Sequence, residues 1–171
     1  KMNDCPEAGI IGPSIIWEDG GVQTSCFNNA TPLGEMVSTA NTGPITKLMR
    51  VFGAKEIAIQ NAKDDTRPEW ISFACVMIRK EVFEQVGLMD EKYFMYYEDN
   101  DYCRMARKKG WDICYAADAK VIHLNKGYSN KRLSRLPDYV YRSRSRYFAK
   151  FYGRIGLLFA NTFWIKGWVI A

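Results

Sequence analysis

The chain has 171 residues, which is enough to bury the core of one domain. Apolar residues make up 47% of it and charged residues 25%, proportions that are ordinary for a folded globular protein and exclude a disordered chain. The net charge of +5 favours anionic ligands or surfaces without establishing them. Five cysteines, an odd number without close pairs, argue against a disulfide framework, and a single histidine leaves no cluster for structural zinc.

The first part of the chain alternates short apolar runs with turn-forming residues. The run Glu7–Trp17 predicts a short buried strand that is broken at Gly12-Pro13 and followed by a second one. Val22–Cys26 predicts a returning strand after a turn. Phe27–Gly43 is rich in Asn, Thr, Gly and Pro, so we expect a loop there, with a short helix at Leu33–Ser38.

The middle of the chain contains the clearest strand signal. We expect a short helix at Ile45–Phe52 and a polar, exposed segment at Lys55–Pro68. Glu69–Arg79 is almost continuously apolar or β-prone, which predicts a strand that is buried on both faces. Lys80–Val86 predicts a short helix, and Gly87 is suited to end it.

An aromatic run, Tyr93–Tyr97, ends abruptly in three acids, Glu98, Asp99 and Asp101. Apolar residues at helical spacing follow, and the pattern closes with a basic run before Gly110, so the acids lie at the start of a helix and the bases at its end. Each charge matches the end of the helix dipole that favours it.

Two interpretations of these acids stay open. A single acid in the first turn stabilises a helix by roughly 0.5–2 kcal/mol, and N-capping needs no more than that. Three crowded acids repel one another, and a metal, a cationic partner or catalysis would justify the crowding. The helix N-terminus is expected to keep at least one of the carboxylates ionised at neutral pH, as a general base requires.

Two further strands and a long basic segment complete the chain. Trp111–Ala116 alternates as a strand does, and Ala119–Leu124 predicts another strand with His123 near its end. A helical pattern begins at Pro137, which suits a first helical turn. The apolar tail Ile155–Ala171 is too short and interrupted to span a membrane, which takes about 20 residues.

The stretch Lys131–Arg154 interleaves basic residues with aromatic ones, and it has three interpretations. The commonest is a solvated helix face. The second is electrostatic attachment to an anionic membrane that carries a lipid-linked acceptor. The third is contact with nucleic acid, and it ranks last because no nucleic-acid-binding motif accompanies the charge.

Several of these segments occur in the order found in family 2 glycosyltransferases, and the chain resembles the C-terminal half of the rhamnosyltransferase-like group, which has the GT-A fold. The resemblance implies an α/β fold, with part of a GT-A mixed sheet flanked by helices. Within it, Val86–Glu91 resembles the family's G-G-F-D-E segment, and the acidic signature follows the aromatic run. The matching segments are Gly9–Gly21, Val86–Glu91, Glu98-Asp99-x-Asp101, Val121–His123 and Arg142–Phe148.

In this family a nucleotide-binding half with an Asp-x-Asp metal motif precedes the matching region. We therefore expect residues 1–171 to be a single domain, the acceptor-side portion of a catalytic domain, with a basic-aromatic helical region at 137–171. We also expect the chain to be inactive on its own, because nothing in it supplies the nucleotide-binding half.

The resemblance implies an inverting transfer of a sugar from a nucleotide-sugar to a hydroxyl of a glycan or lipid-linked acceptor. It assigns the general base to Asp99, with Glu98 beside it, and places Trp70 and Asp101 on the acceptor side. It also implies Mg²⁺ or Mn²⁺, with His123 completing the metal shell. The alternatives are a capping role for the two flanking acids, a core position for the tryptophan, and a strand-end histidine hydrogen-bonded to a carbonyl.

A second hypothesis of a different class remains open. The chain is then a non-catalytic module that binds carbohydrate or a membrane surface, and simple scaffolding is a weaker option still. The resemblance implies a cytoplasmic protein without a nucleic-acid partner, and peripheral contact with the inner face of an anionic membrane is one of the open alternatives.

Overall fold

A computed structural model describes residues 1–40, 47–49, 51, 53–63, 66–124 and 136–170, with the side chains of 39, 40 and 166–170 left out. The fold is α/β, as expected, with a mixed sheet flanked by helices. Its elements in chain order are β1 (Ala8–Trp17), β2 (Val22–Gln23), β3 (Cys26–Phe27), α1 (Pro32–Ala40), β4 (Trp70–Ile71), β5 (Met77–Ile78), α2 (Lys80–Val86), α3 (Glu98–Lys108), β6 (Asp112–His123) and α4 (Asp138–Ile170).

Strand β1 is the centre of the larger sheet. Along one edge it pairs in parallel with β6 over nearly its whole length. Along the other edge it pairs antiparallel with β5 near its start and with β2 near its end. Strands on both edges pair with the backbone of β1, and the apolar side chains on its faces are buried, with Ile10 and Ile15 almost completely shielded from solvent.

The pairing of β1 with β6 contains an irregularity that explains two predicted breaks. Pro13 lies opposite Ala116, but the next residue, Ser14, lies opposite Lys120, so three residues of β6 have no partner on β1. Such a bulge bends a strand without ending it. The breaks expected at Gly12-Pro13 and between Ala116 and Ala119 therefore mark one bend, and the prediction of separate strands was wrong.

The prediction of one long strand at Glu69–Arg79 was also wrong. Its two ends belong to different sheets, because β4 pairs with β3 and β5 pairs with β1. Between them, residues 72–76 form a turn. Apolar and β-prone composition is the same whether a run continues or changes partner, so the sequence pattern did not distinguish the two cases.

Helices α2 and α3 cover one face of the sheet and close the main core. Val82 of α2 and Cys103 of α3 are completely buried, and the chain leaves α3 through Gly110 at a φ of 91°, the conformation predicted for this helix end. The buried members of this core are Ile10, Cys26, Ile71, Val82, Tyr102, Cys103, Ala106, Ile113 and Tyr115.

Helix α4 packs along α1 and forms a second apolar cluster. It begins directly after Pro137, as predicted, and bends at Gly153, whose φ of 67° is a left-handed conformation that glycine adopts without strain. In the part of the chain that is described, no helix has the length and apolarity to cross a membrane. The buried members of this cluster are Ala30, Tyr93, Tyr147, Phe148 and Ala160.

Other predictions for the connecting segments hold in part. The short helix expected at Leu33–Ser38 is found as α1, and residues 47–49 and 51 are helical within the expected Ile45–Phe52. The rest of that segment, and residues 131–135 of the basic stretch, lie outside the described residues.

Candidate active site

The chain enters the acidic motif through two strained residues. Tyr96 and Tyr97 have φ values of 66° and 68°, in the left-handed region that costs a non-glycine residue roughly 1–2 kcal/mol. Tertiary contacts hold them there, because the Tyr97 hydroxyl donates to Glu35 Oε1 at 2.9 Å and its ring packs against Tyr147. Strain that the surroundings maintain is typical of functional sites, and here it directs the chain straight into helix α3 at Glu98.

Asp99 lies in the first turn of α3 and is partly buried. Its Oδ1 accepts a hydrogen bond from the backbone N–H of Asn100 at 2.8 Å. Burial, and after it the charge of Glu98, raise the pKa of Asp99 to about 7, against the opposing effect of backbone hydrogen bonds from Asn100 and Phe73. The expected effect of the helix N-terminus is therefore outweighed by desolvation at this residue, and a pKa near neutrality is suited to a general base.

Glu98 stands beside Asp99 with one oxygen lacking a hydrogen-bond partner. Its Oε2 is buried and makes no hydrogen bond within the described residues. A buried carboxylate oxygen without a donor is costly, so such atoms call for a ligand, a water or a functional reason. Asp101 Oδ1 is likewise buried without a partner in the described residues, so the feature that distinguishes Glu98 and Asp99 is an adjacent pair of carboxylates of which one has a pKa near 7.

Asp101 has a different environment from its two acidic neighbours. Its side chain is 5% exposed, and its Oδ2 accepts a hydrogen bond from Lys150 Nζ of α4 at 2.6 Å. Burial raises the pKa of Asp101, and the lysine opposes that shift. The side chain thus lies in the packing between α3 and α4. This favours the structural alternative, and a role in acceptor binding stays a prediction.

Asn100, which sequence reasoning passed over, is a central residue of the motif. It is 1% exposed, and its side-chain amide lies 3.0 Å from the Tyr147 hydroxyl. With its amide turned to suit all its neighbours, it also donates to Asn29 Oδ1 and accepts from Trp70 Nε1. Because it occupies the variable position of the motif, no pattern distinguished it from a surface residue.

The basic residues of α4 hold the motif from the other side. Arg144 pairs with Glu35 in a buried ion pair and donates to Asn161 Oδ1 at 2.7 Å. Arg146 Nε donates to Asp90 Oδ2 at 3.0 Å, and although partial burial opposes it, this bond lowers the pKa of Asp90. Together with Lys150, these residues form a set of three ion pairs that we call the α4 clamp: Arg144–Glu35, Arg146–Asp90 and Lys150–Asp101.

The α4 clamp corrects the commonest interpretation of the basic stretch. Three of its cations face acids of the same chain, whereas a solvated face would leave them in water. One signal for this was present, since Arg144, Tyr147, Phe148 and Phe151 recur at the spacing of one helix face. An arginine on an aromatic face is more often an internal partner than a surface charge, and Arg144 lies 4.9 Å from the ring centre of Phe148.

Trp70 lies in β4 and has a packed environment. Its indole Nε1 donates to the backbone oxygen of Asn28 at 2.9 Å, and its ring stacks on Phe27 with centres 4.1 Å apart. It also contacts the main core. The core alternative is therefore supported by these contacts, and a role in lining the acceptor site stays a prediction.

His123 ends β6, and Gln23 of β2 holds it. Its Nδ1 lies 3.0 Å from Gln23 Oε1, and its ring stacks on Trp17 with centres 5.4 Å apart. The observed partner is a side-chain carbonyl, as the strand-end alternative expected. Within the described residues, no hydrogen bond or ion pair connects His123 to Glu98 or Asp99.

Comparisons with known proteins show the family of the chain. Residues 17–138 match the profile described as glycosyltransferase-like family 2, which is more than half of the chain. The chain belongs to this family. The match to family 2 includes the acidic motif and both residues of the Trp17–His123 stack.

Family 2 relatives of assigned function also match. The chain is 31% identical over 133 residues to the N-acetylglucosaminyl-diphospho-decaprenol L-rhamnosyltransferase of two Mycobacterium tuberculosis strains, covering 74% of this chain and 40% of the relative. It is 44% identical over 48 residues to a low-salt glycan biosynthesis hexosyltransferase of Haloferax volcanii, covering 27% and 16%. The chain thus spans about two fifths of the first relatives' length or less. No solved structure matches.

The family resemblance implies a divalent metal, and the described residues offer few ligands for one. No group of three or more His, Cys, Asp or Glu side chains gathers there to hold a cation. His123 taken alone is compatible with a ligand, since Nδ1–H donated to Gln23 Oε1 leaves the lone pair on Nε2. One ligand does not make a site, so the described residues do not by themselves fit a metal centre.

Proposed function

We propose that this chain is the acceptor-side portion of the catalytic domain of an inverting glycosyltransferase, with Asp99 as its general base. The observation that carries the proposal is a partly buried carboxylate whose pKa is raised to about 7 at the start of α3. A family 2 match that includes this motif supports the same assignment.

In the proposed reaction a hydroxyl of the acceptor attacks the anomeric carbon of a nucleotide-sugar from the face opposite the diphosphate. A new bond forms between the hydroxyl oxygen and the anomeric carbon, and the bond to the diphosphate oxygen breaks with its electron pair. Asp99 takes the hydroxyl proton, which leaves a nucleoside diphosphate and a protonated carboxyl group. Burial raises the pKa of Asp99, and the charge of Glu98 adds to that effect.

The strained backbone supports a fixed position for this base. Tyr96 and Tyr97 hold left-handed conformations, and the α4 clamp ties the start of α3 to a helix on its other side. A general base must lie within hydrogen-bond reach of the proton that it removes, so rigidity at Asp99 contributes to the rate.

The names of the relatives suggest the substrates. The mycobacterial relative is named as a rhamnosyltransferase that acts on a sugar diphospholipid, and the archaeal one as a hexosyltransferase of glycan biosynthesis. We propose a nucleotide-linked hexose or deoxyhexose as donor and a lipid-linked or glycan hydroxyl as acceptor. A divalent cation, Mg²⁺ or Mn²⁺, would neutralise the leaving diphosphate in the complete enzyme, with His123 Nε2 as one ligand.

The test of the base is Asp99→Asn in the full-length protein, assayed with a panel of nucleotide-sugars that begins with nucleotide-linked L-rhamnose. We expect transfer to fall by at least about 10²-fold, the usual contribution of a positioned general base, because an amide cannot take the proton. The matched control is Glu84→Gln, an exposed acid on α2. Transfer near the wild-type rate in Asp99→Asn overturns the assignment.

We also propose peripheral contact of this protein with an anionic membrane, through the part of α4 that follows Gly153. Exposed apolar side chains lie there, with Ile155 72%, Leu158 65% and Phe159 52% exposed, and Arg154 adds an exposed charge. Apolar residues beside a basic one are typical of surfaces that bind anionic lipid.

Flotation with phosphatidylglycerol vesicles tests this contact. We expect the wild-type protein to float at low salt and the double variant Leu158→Ser/Phe159→Ser to stay in the dense fraction. Ile122→Ser, which removes an exposed apolar side chain from β6, is the control. A wild-type protein that does not float at low salt removes this proposal. The alternative of a non-catalytic binding module predicts flotation or glycan binding with no transfer for any donor.

A further inference from the structure

A groove of about 290 Å³ lies between the loop before Glu98 and the first turns of α4. Phe94 precedes Glu98 by four positions, so the loop that forms one side of the groove continues along the chain into the acidic motif. The residues that line it are Lys92, Phe94, Asp138, Tyr139, Arg142 and Ser143.

Both sides of this groove are attached to each other. The Ser143 hydroxyl of α4 donates to the backbone oxygen of Met95 in the loop at 2.9 Å. The rings of Phe94 and Tyr96 lie 5.4 Å and 6.2 Å from the ring of Tyr139. The groove is therefore formed by the folded chain, and a ligand would not have to order its walls.

The aromatic rings beside the groove remain open to solvent. Phe94 is 77% exposed and Tyr96 is 47% exposed, although both belong to a cluster around Tyr139. A cluster of exposed aromatic side chains at a concave site presents flat apolar faces, and the C–H face of a sugar ring packs well against such a surface.

Two cations that line the groove have no side-chain partner among the described residues. The side chains of Lys92 and Arg142 make no hydrogen bond or ion pair in the described part of the chain, whereas Arg144, Arg146 and Lys150 are all engaged in the α4 clamp. Asp138 brings one negative charge to the same lining. The N-terminal end of α4 adds positive partial charge, so the balance favours an anion such as a phosphate.

We infer that this groove binds a phosphate-bearing acceptor, with Lys92 and Arg142 on the phosphate and the aromatic cluster against the sugar. The inference rests on the proposed function, since the ligand is an acceptor only if the motif that follows this loop in the chain carries the base. An acceptor sugar on Phe94 and Tyr139 would then direct a hydroxyl toward the start of α3.

The test measures binding directly, by isothermal titration of the full-length protein with two probes. One is farnesyl-diphospho-N-acetylglucosamine and the other is octyl N-acetylglucosaminide, which carries the same sugar without phosphate. We expect Arg142→Gln and Lys92→Gln each to weaken binding of the diphosphate probe about tenfold, the loss of one charge-assisted hydrogen bond. Lys109→Gln, an exposed lysine at the end of α3, is the matched control and should leave this affinity unchanged.

The phosphate-free probe should bind equally to all four proteins. Equal binding of the diphosphate probe to wild type and Arg142→Gln overturns the inference, and so does a wild-type protein that binds both probes with the same affinity. Failure of the proposed function is seen separately. If the protein binds the diphosphate probe as described but Asp99→Asn does not change the rate of transfer, the groove inference stands and the assignment of Asp99 as the base is wrong.

Discussion

Lys150 and Asp101 lie 49 positions apart in the chain, yet their Nζ and Oδ2 atoms are 2.6 Å apart. The contact joins α4 to the first turn of α3, two residues from the proposed base. It gives one acid of the motif a structural partner, whereas the two acids that precede it have no ion pair within the described residues. Asp101 therefore has a structural role because it contacts α4, and Glu98 and Asp99 are the acids left for the proposed chemistry.

Removing the lysine should destabilise the fold. Lys150→Met leaves Asp101 buried without its counter-charge, and we expect a loss of about 1–3 kcal/mol, because the lysine is about one-third exposed and solvent screens part of the pair. Denaturant unfolding measures it. Lys80→Met, which breaks the exposed pair with Glu84, is the control and should change stability by less than about 0.5 kcal/mol. Equal losses in the two variants would contradict this account.

The buried pair of Arg144 and Glu35 should have a larger effect. Arg144→Leu removes a cation that contacts the buried Glu35 carboxylate, and we expect a loss of about 3–5 kcal/mol in thermal or denaturant unfolding. Removing both charges in Arg144→Leu/Glu35→Leu should recover part of it, because the buried carboxylate is then absent as well. A double variant less stable than the single one would show that the buried charge of Glu35 is not the cause.

Asp99 should make stability fall with rising pH. The pKa of Asp99 is about 7 in the folded chain, whereas its ordinary value, which we take for the unfolded chain, is 3.8. Between these two pH values the folded state therefore binds more protons than the unfolded state. The contribution of Asp99 to the free energy of unfolding is therefore largest below pH 3.8. It decreases as the pH rises to about 7 and is constant above that pH. Asp99→Asn should remove this slope and stabilise the protein at pH 8 by about 1–3 kcal/mol. Parallel stability curves for variant and wild type would contradict the burial of the charge.

The rate of transfer should follow the same ionisation in the opposite sense. The base must be deprotonated to accept a proton, so kcat/KM should rise with pH and level off above a midpoint near 7. Glu98→Gln removes the charge that raises this pKa, and the midpoint should move to lower pH. A midpoint that does not move would indicate that the observed ionisation belongs to another group.

The local part of the fold was predictable from local signals. Helix α2 and the helix after the acids were predicted because capping residues, glycine ends and apolar spacing act within a few positions. The prediction of one strand at Glu69–Arg79 was wrong because strand pairing depends on distant parts of the chain, and the two ends of this run pair with different strands. The bend of β1 and β6 appeared in the sequence as two breaks, since the pattern marks where alternation stops and not whether the strand continues.

The candidate site divided in the same way. The acids and their place at a helix start were visible, but the environment of each acid was not. Asp99 lies near the backbone of Phe73 and Asp101 contacts Lys150, and both partners are distant in the chain. Asn100 was not predicted because the sequence does not show whether an asparagine side chain is buried or exposed. The interpretation of the α4 cations as a solvated face was wrong for a similar reason, because a run of basic residues in the sequence does not show which acids it contacts in the fold.

The family match ends at residue 138, where α4 begins. A truncation designed on that boundary would keep the whole signature and discard Arg144, Arg146 and Lys150 together. Glu35, Asp90 and Asp101 would then lose their counter-ions in one step, and the cluster around Tyr147 would be opened to water. The shortest fragment worth expressing therefore extends well past the last recognisable motif.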